Sequence, residues 1–203
     1  MAATGETVTY AELDEEANRL ARVFHDLGLQ PGDHVALCLE NNARFLPICW
    51  GAHYAGLVYT AMSTRLTTEE MAYIIDNCGA RVFITSPTKA EQAAELLDQM
   101  PEVELRLSVG GRLDGYDSYE DTIVAASPEP LPERVAGFDM LYSSGTTGRP
   151  KGIKRPLSGR SVAEGIPGVD QASPFGFDEH TIYLSPAPLY HAAPFGYCMR
   201  TLA

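Results

Sequence analysis

Short apolar runs at residues 35–39, 57–61, 81–85 and 103–109 alternate with stretches whose apolar residues recur at helical spacing, which restricts the chain to few folds. The run at 35–39 is apolar on both faces, as a central parallel strand between two helical layers must be. Thr9 and Glu12 form the Thr-x-x-Glu pattern of a capping box, and residues 7–10 read as a short strand running into that helix. Leu13, Ala17, Leu20, Phe24 and Leu27 follow on one side and Gly28 ends the run, so Asp14, Glu15, Glu16 and Arg19 read as a solvated face. Pro31-Gly32-Asp33 turns the chain into the 35–39 strand, and a second helix is expected over residues 43–55. Thr67-Thr68-Glu69-Glu70 opens a third, carrying Met71, Ile74 and Ile75 and closing at Cys78-Gly79. A polar helix at 89–99 and a short one at 118–126 complete the series. The pattern predicts an α/β fold: a doubly wound, mostly parallel sheet with flanking helices.

Composition narrows the function. The 203 residues carry a formal net charge of -12 with a pI near 4.7, which argues against nucleic acid as a partner. The longest apolar region, residues 45–62, is broken by Pro47, His53 and glycines, so it reads as helix, turn and strand and not as a membrane span. With no basic-then-apolar leader visible, a soluble cytoplasmic protein is expected. Cys38, Cys49, Cys78 and Cys198 lack C-x-x-C spacing and read as buried thiols, neither a zinc site nor a disulfide framework. His53 has no partner at ligand spacing and reads as a packed or half-exposed side chain.

No packing requirement explains the run Tyr142-Ser143-Ser144-Gly145-Thr146-Thr147-Gly148-Arg149-Pro150-Lys151-Gly152. Met140, Leu141 and Tyr142 suggest a buried strand ending at Ser143, so the loop would leave a sheet edge. Glycines let backbone N–H groups approach an anion, Ser143, Ser144, Thr146 and Thr147 add hydroxyl donors, and Lys151 adds a mobile charge. From Met140 through Ala163 there is no Asp or Glu, while Arg149, Lys151, Lys154, Arg155 and Arg160 all fall there, a pattern that attracts an anion locally in an acidic chain. It is not the common P-loop: Pro150 and Gly152 stand where that motif needs Gly and Ser or Thr around its lysine, and no G-x-G-x-x-G is present. A second constellation follows the apolar residues Ile182-Tyr183-Leu184, read as a strand ending at Ser185-Pro186-Ala187-Pro188-Leu189-Tyr190-His191, where prolines make a rigid platform for an aromatic and a titratable group.

The run from Ser143 to Lys151 closely resembles the signature loop of the adenylate-forming superfamily, which includes acyl-CoA synthetases, luciferases and peptide-synthetase adenylation domains. Thr9-Tyr10-Ala11-Glu12-Leu13, residues 28–35, Thr64-Arg65-Leu66-Thr67 and Cys78-Gly79-Ala80-Arg81 resemble the corresponding stretches of acyl-CoA synthetases, so the likeness covers most of the chain. The resemblance implies that Ser143, Ser144, Gly145, Thr146, Thr147, Gly148 and Lys151 hold the β- and γ-phosphates of ATP while a fatty or aromatic carboxylate attacks the α-phosphorus. Thr147 is the candidate Mg²⁺ ligand, Lys151 and His191 the candidate catalytic residues, and Tyr190 with His191 the candidate acid-binding pair. Coenzyme A would then take the acyl group as a thioester.

The chain divides into a βα-alternating subdomain (1–126), a Pro-rich linker (127–138) and, by the same resemblance, the loop strand, loop and start of the acyl-pocket region (139–203), where residues 195–199 resemble the start of a helix that borders that pocket and fit an ordinary core helix equally well. It ends before the family's adenine- and Mg²⁺-contacting segment, its ribose-binding Asp and its C-terminal domain. The chain therefore reads as the incomplete N-terminal part of the large domain, expected to be inactive alone and to self-associate. An adenylation domain loading a carrier-protein thiol and a non-catalytic nucleotide-binding remnant remain the alternatives.

Overall fold

The computed structural model describes residues 5–143, 149–165, 178 and 180–203. Helix α1 (Tyr10–Asp26) starts at the predicted capping box, with Thr9 accepting from the Glu12 N–H and the Glu12 carboxylate accepting from the Thr9 N–H at 2.7 Å. The chain then runs through β1 (His34–Leu37), α2 (Phe45–Tyr54), β2 (Val58–Ala61), α3 (Thr68–Cys78), β3 (Ala80–Thr85), α4 (Ala90–Leu96), β4 (Leu105–Ser108), β5 (Asp117–Ser118), α5 (Tyr119–Ala125) and β6 (Phe138–Asp139). Helix α3 repeats the capping box with Thr67 and Glu70, and Gly79 closes it at a φ of 70°, a left-handed conformation that favours glycine. A hairpin (β7, Tyr142–Ser143; β8, Lys151–Gly152) and helix α6 (Ala192–Leu202) follow.

The 6-stranded sheet has the order β5-β4-β3-β1-β2-β6, and every neighbouring pair is parallel. Strand residues alternate between two cores, which is why the predicted runs are apolar on both faces. Val35, Leu37, Val82 and Ile84 face the layer made by α1, α2, α5 and α6, while Ala36, Cys38 and Phe83 face α3 and α4. The doubly wound reading is thus realised. The chain steps from β1 to β2 on one side and returns to β3 on the other, placing a switch point at the C-terminal ends of β1 and β3.

Several local expectations are corrected. Residues 7–9 form no strand: they have no ladder partner among the described residues, and Thr9 serves as the helix cap instead. Glu16 is not part of a solvated face. It lies three residues after Leu13 and four before Leu20, inside the buried stripe, and is only 8% exposed. Its carboxylate accepts from the Tyr119 hydroxyl at 2.7 Å and from Arg44 at 2.9 Å. Burial pushes the Glu16 carboxyl above the usual range, with Tyr119 and Arg44 opposing the shift. Ile182-Tyr183-Leu184 forms no strand with any of the described residues: Tyr183 packs on the core while Ile182 and Leu184 are exposed. The helix expected at 89–99 is split into a 3₁₀ turn (Pro87–Lys89) and α4. Phe138, read as the end of the linker, already pairs with Val58 in the sheet.

The four cysteines are free and buried, and His53 is packed, its Nδ1 donating to the Gly137 carbonyl at 2.8 Å. Among the described residues no helix is long and apolar enough to cross a membrane.

Candidate functional site

The loop of hydroxyls and glycines is carried by a hairpin, not by a strand of the large sheet. Met140 still donates its N–H to the Tyr59 carbonyl at 2.9 Å, continuing β6, but the chain then leaves the sheet. Strands β7 and β8 pair antiparallel, with Tyr142 opposite Gly152 and Ser143 opposite Lys151. This corrects the buried strand expected to end at Ser143: Met140 is buried, Leu141 and Tyr142 are half-buried and Ser143 is exposed. The backbone groups after Met140 find their partners in the returning chain, where Ile153 donates to the Leu141 carbonyl at 3.3 Å and Arg155 pairs with Asp139 at 2.8 Å.

The hairpin sets Ser143 and Lys151 side by side at the mouth of the loop, with the Ser143 hydroxyl 3.4 Å from the Lys151 carbonyl. Ser144, Gly145, Thr146, Thr147 and Gly148 lie outside the described residues. Gly152 is required by close approach: a Cβ there would lie 2.3 Å from the Met140 methyl and 2.8 Å from the Tyr142 ring. Helix α3 holds the stem from the other side. The Tyr142 hydroxyl donates to Asn77 Oδ1 at 2.7 Å, and the Arg149 guanidinium lies 5.0 Å from the centroid of the Tyr73 ring. Burial pushes the Tyr142 phenol well above its ordinary range.

The cations of this region are not pooled on one spot. Arg155 is paired with Asp139, Arg160 lies 3.6 Å from Glu164, and Arg149 covers Tyr73. Lys151 is exposed and has no carboxylate partner among the described residues, so its ammonium is available to an anion at the loop mouth. No group of three or more His, Cys, Asp and Glu side chains among the described residues could hold a metal ion, so these residues do not form a protein cage for Mg²⁺.

Tyr190 and His191 form the second part. His191 is the N-cap residue of α6 and is exposed, Leu189 is buried beneath the turn, and the Tyr190 and His191 rings lie 4.6 Å apart. Phe195, one turn into α6, packs edge-on against Phe45 and Tyr59, which seats the helix on the sheet. A cavity of about 320 Å³ lies between β6, the 155–160 segment and α6, with Tyr59, Phe138 and Phe195 among its walls and Asp139, Arg155 and Arg200 lining it too. None of Ser143, Lys151, Tyr190 and His191 is among the residues lining that cavity, and among the described residues the Ser143–Lys151 pair makes no direct contact with the Tyr190–His191 pair. Asn41, Asn77 and Asp139 escaped the sequence reading, since each acts on residues far away along the chain. Only Asn41 carried a usable signal, a polar residue just past a predicted strand at a switch point.

Residues 1–203 match the AMP-binding enzyme family. A feruloyl-CoA synthase from Amycolatopsis sp. is 33% identical, the match covering 98% of this chain and 38% of that protein. The crystal structure of the anthranilate CoA ligase AuaEII in complex with anthranoyl-AMP superposes with a TM-score of 0.68 at 28% identity, covering 74% of this chain and 30% of that one. ATP-bound MatB from Rhodopseudomonas palustris gives 0.73 at 26% identity, covering 98% and 39%. The chain spans about a third of the length of the curated relatives it matches.

Proposed function

Because the chain belongs to the AMP-binding enzyme family, with acid–CoA ligases among its relatives, we propose that it supplies the phosphate-loop part of such a ligase. In this reading a carboxylate oxygen attacks the α-phosphorus of ATP, the bond to the bridging oxygen breaks and pyrophosphate leaves. The thiol of coenzyme A then attacks the acyl carbon and AMP leaves, giving the thioester. The acid is a fatty or aromatic carboxylate; the names of a feruloyl-CoA synthase and an anthranilate CoA ligase among the similar proteins support the aromatic class. The reaction is placed in the cytoplasm, where ATP and coenzyme A are both at hand.

The observation that carries the proposal is the pairing of Ser143 with Lys151 across the hairpin, which puts at one loop mouth a hydroxyl and an ammonium with no carboxylate partner among the described residues. Lys151 stabilises the negative charge that moves onto the departing pyrophosphate, and Ser143 donates to a phosphate oxygen. Mg²⁺ would neutralise phosphate charge when bound and would be held largely by the nucleotide's own oxygens, with Thr147 the one protein ligand proposed. His191, exposed beside Tyr190, hydrogen-bonds the incoming carboxylate and orients it.

In an acid–CoA ligase carrying this segment, Lys151→Ala is expected to cost about 2–4 kcal/mol of transition-state stabilisation in adenylation. Its unfolding free energy should stay within about 0.5 kcal/mol of the parent. An unchanged kcat/KM for ATP removes Lys151 from the site.

A further inference from the structure

The turn carrying Tyr190 and His191 is gripped by one distant side chain. Asn41 Nδ2 donates to the Ala187 carbonyl at 3.0 Å, and Asn41 Oδ1 accepts from the Leu189 N–H at 2.9 Å. Those two backbone groups flank Pro188, which has no N–H to offer. One amide that donates to a carbonyl and accepts from an N–H two residues later repeats what a single residue of a parallel strand does to its neighbour. Only a carboxamide can do this: Asp lacks the donor and Leu lacks both groups.

Asn41 is exposed, but the residues on either side of it are anchored. Its neighbour Glu40 accepts from Ser86 Oγ at 2.7 Å and from Thr88 Oγ1 at 2.8 Å, closing the gap between the ends of β1 and β3. On its other side Arg44 pairs with Glu16 at 2.9 Å and Glu6 at 3.2 Å. Leu189, whose N–H Asn41 accepts, is 6% exposed and anchored in the core, and the next two residues are Tyr190 and His191. Among the described residues the turn adds one hydrogen bond of its own, from the His191 N–H to the Pro188 carbonyl at 3.2 Å.

We propose that Asn41 is the positioning residue for the acid-binding turn, transmitting the rigid switch point of the sheet to Tyr190 and His191. It touches no substrate and acts through the turn. The proposal rests on the reading of His191 as an acid-orienting group, and the experiment separates the two.

In the 203-residue chain, Asn41→Ala should speed hydrogen exchange of the Leu189 amide about tenfold, the effect of losing one or two hydrogen bonds, while the Val35 and Ile84 amides exchange as before. In an acid–CoA ligase carrying the segment, single-turnover kinetics should show adenylation slowed about tenfold and thioester formation from preformed acyl-adenylate unchanged. The double variant with His191→Ala should be no slower than His191→Ala alone, because both act on one group. Asn41→Asp keeps the acceptor and the size, so it should fold even if the alanine variant does not, and it should show the same selective loss. The proposal is overturned if the Leu189 amide stays protected, if both half-reactions slow equally, or if the losses of the two single variants multiply. His191→Ala at the parental adenylation rate overturns the underlying reading instead, and that variant alone tells the two failures apart.

Discussion

Strands β1 and β3 are fixed many times over. Each is paired on both sides by backbone ladders, and each packs side chains into two separate cores. The candidate site is built the other way. The hairpin stem rests on Tyr142 to Asn77, Arg149 on Tyr73 and Arg155 on Asp139, and the Tyr190–His191 turn rests on Asn41. The sheet is therefore held by many groups acting together, while each loop rests on a few side chains. The contrast suits a binding site, whose parts must adjust to a ligand while the frame that aims them stays put.

The largest expected effect comes from attacking the frame. Phe83 is fully buried between β3 and α3–α4, edge-on to Tyr116, and Phe83→Ala should cost about 3–5 kcal/mol in denaturant unfolding. If the loss were instead below about 1 kcal/mol, the sheet would not be the over-determined half.

Acidification should act on the same half to a smaller extent. Burial lowers the affinity of His34 and His53 for a proton below the ordinary value of 6.5, with Lys154 adding to the effect at His34 and Arg134 at His53, where the Gly137 hydrogen bond opposes it. At these two sites the unfolded chain binds more protons than the folded one, so their contribution to stability is complete above about pH 6.5 and falls as pH drops through and below it, while the raised Glu16 carboxyl acts with the opposite sign nearer its own range. The slope is at most about 1.4 kcal/mol per pH unit for each histidine. Thermal melts at stepped pH should show this fall, and a flatter profile in His34→Gln and His53→Gln would assign it. A Tm unchanged between pH 7 and 5 would contradict it.

The smallest effect on stability should come from the loop anchors. Asn77→Ala removes the partner of a half-buried Tyr142 hydroxyl and should cost about 1 kcal/mol or less globally. Hydrogen exchange at Ile153 in the stem should nevertheless rise, with β1 and β3 untouched. Equal exchange changes in stem and sheet would erase the distinction between the two regions.

Much of the frame was legible because its determinants are local. The capping boxes at Thr9–Glu12 and Thr67–Glu70, the Gly79 stop and the two-faced apolar strands each express a rule that operates within a few residues. The exposed ribbon was less so. Met140, Leu141 and Tyr142 look like one strand, but whether their backbone groups pair with β2 or with the returning 151–155 segment depends on a chain reversal that composition does not encode. Glu16 was misassigned for a related reason: its acidic neighbours suggested solvent, and only Tyr119 and Arg44, brought in by α5 and the β1–α2 loop, make its burial tolerable.

The sequence by itself determined the doubly wound class, the caps and stops of its helices, the buried thiols and the family to which the loop at 143–152 belongs, because period, capping and motif order are properties of neighbours along the chain. The tertiary structure alone decided that the sheet is wholly parallel in the order β5-β4-β3-β1-β2-β6, that Ser143 meets Lys151 across a hairpin, and that Asn41 holds residues 187 and 189. Those contacts join groups up to 148 positions apart, and the sequence around one end does not say which distant segment the fold will bring to it.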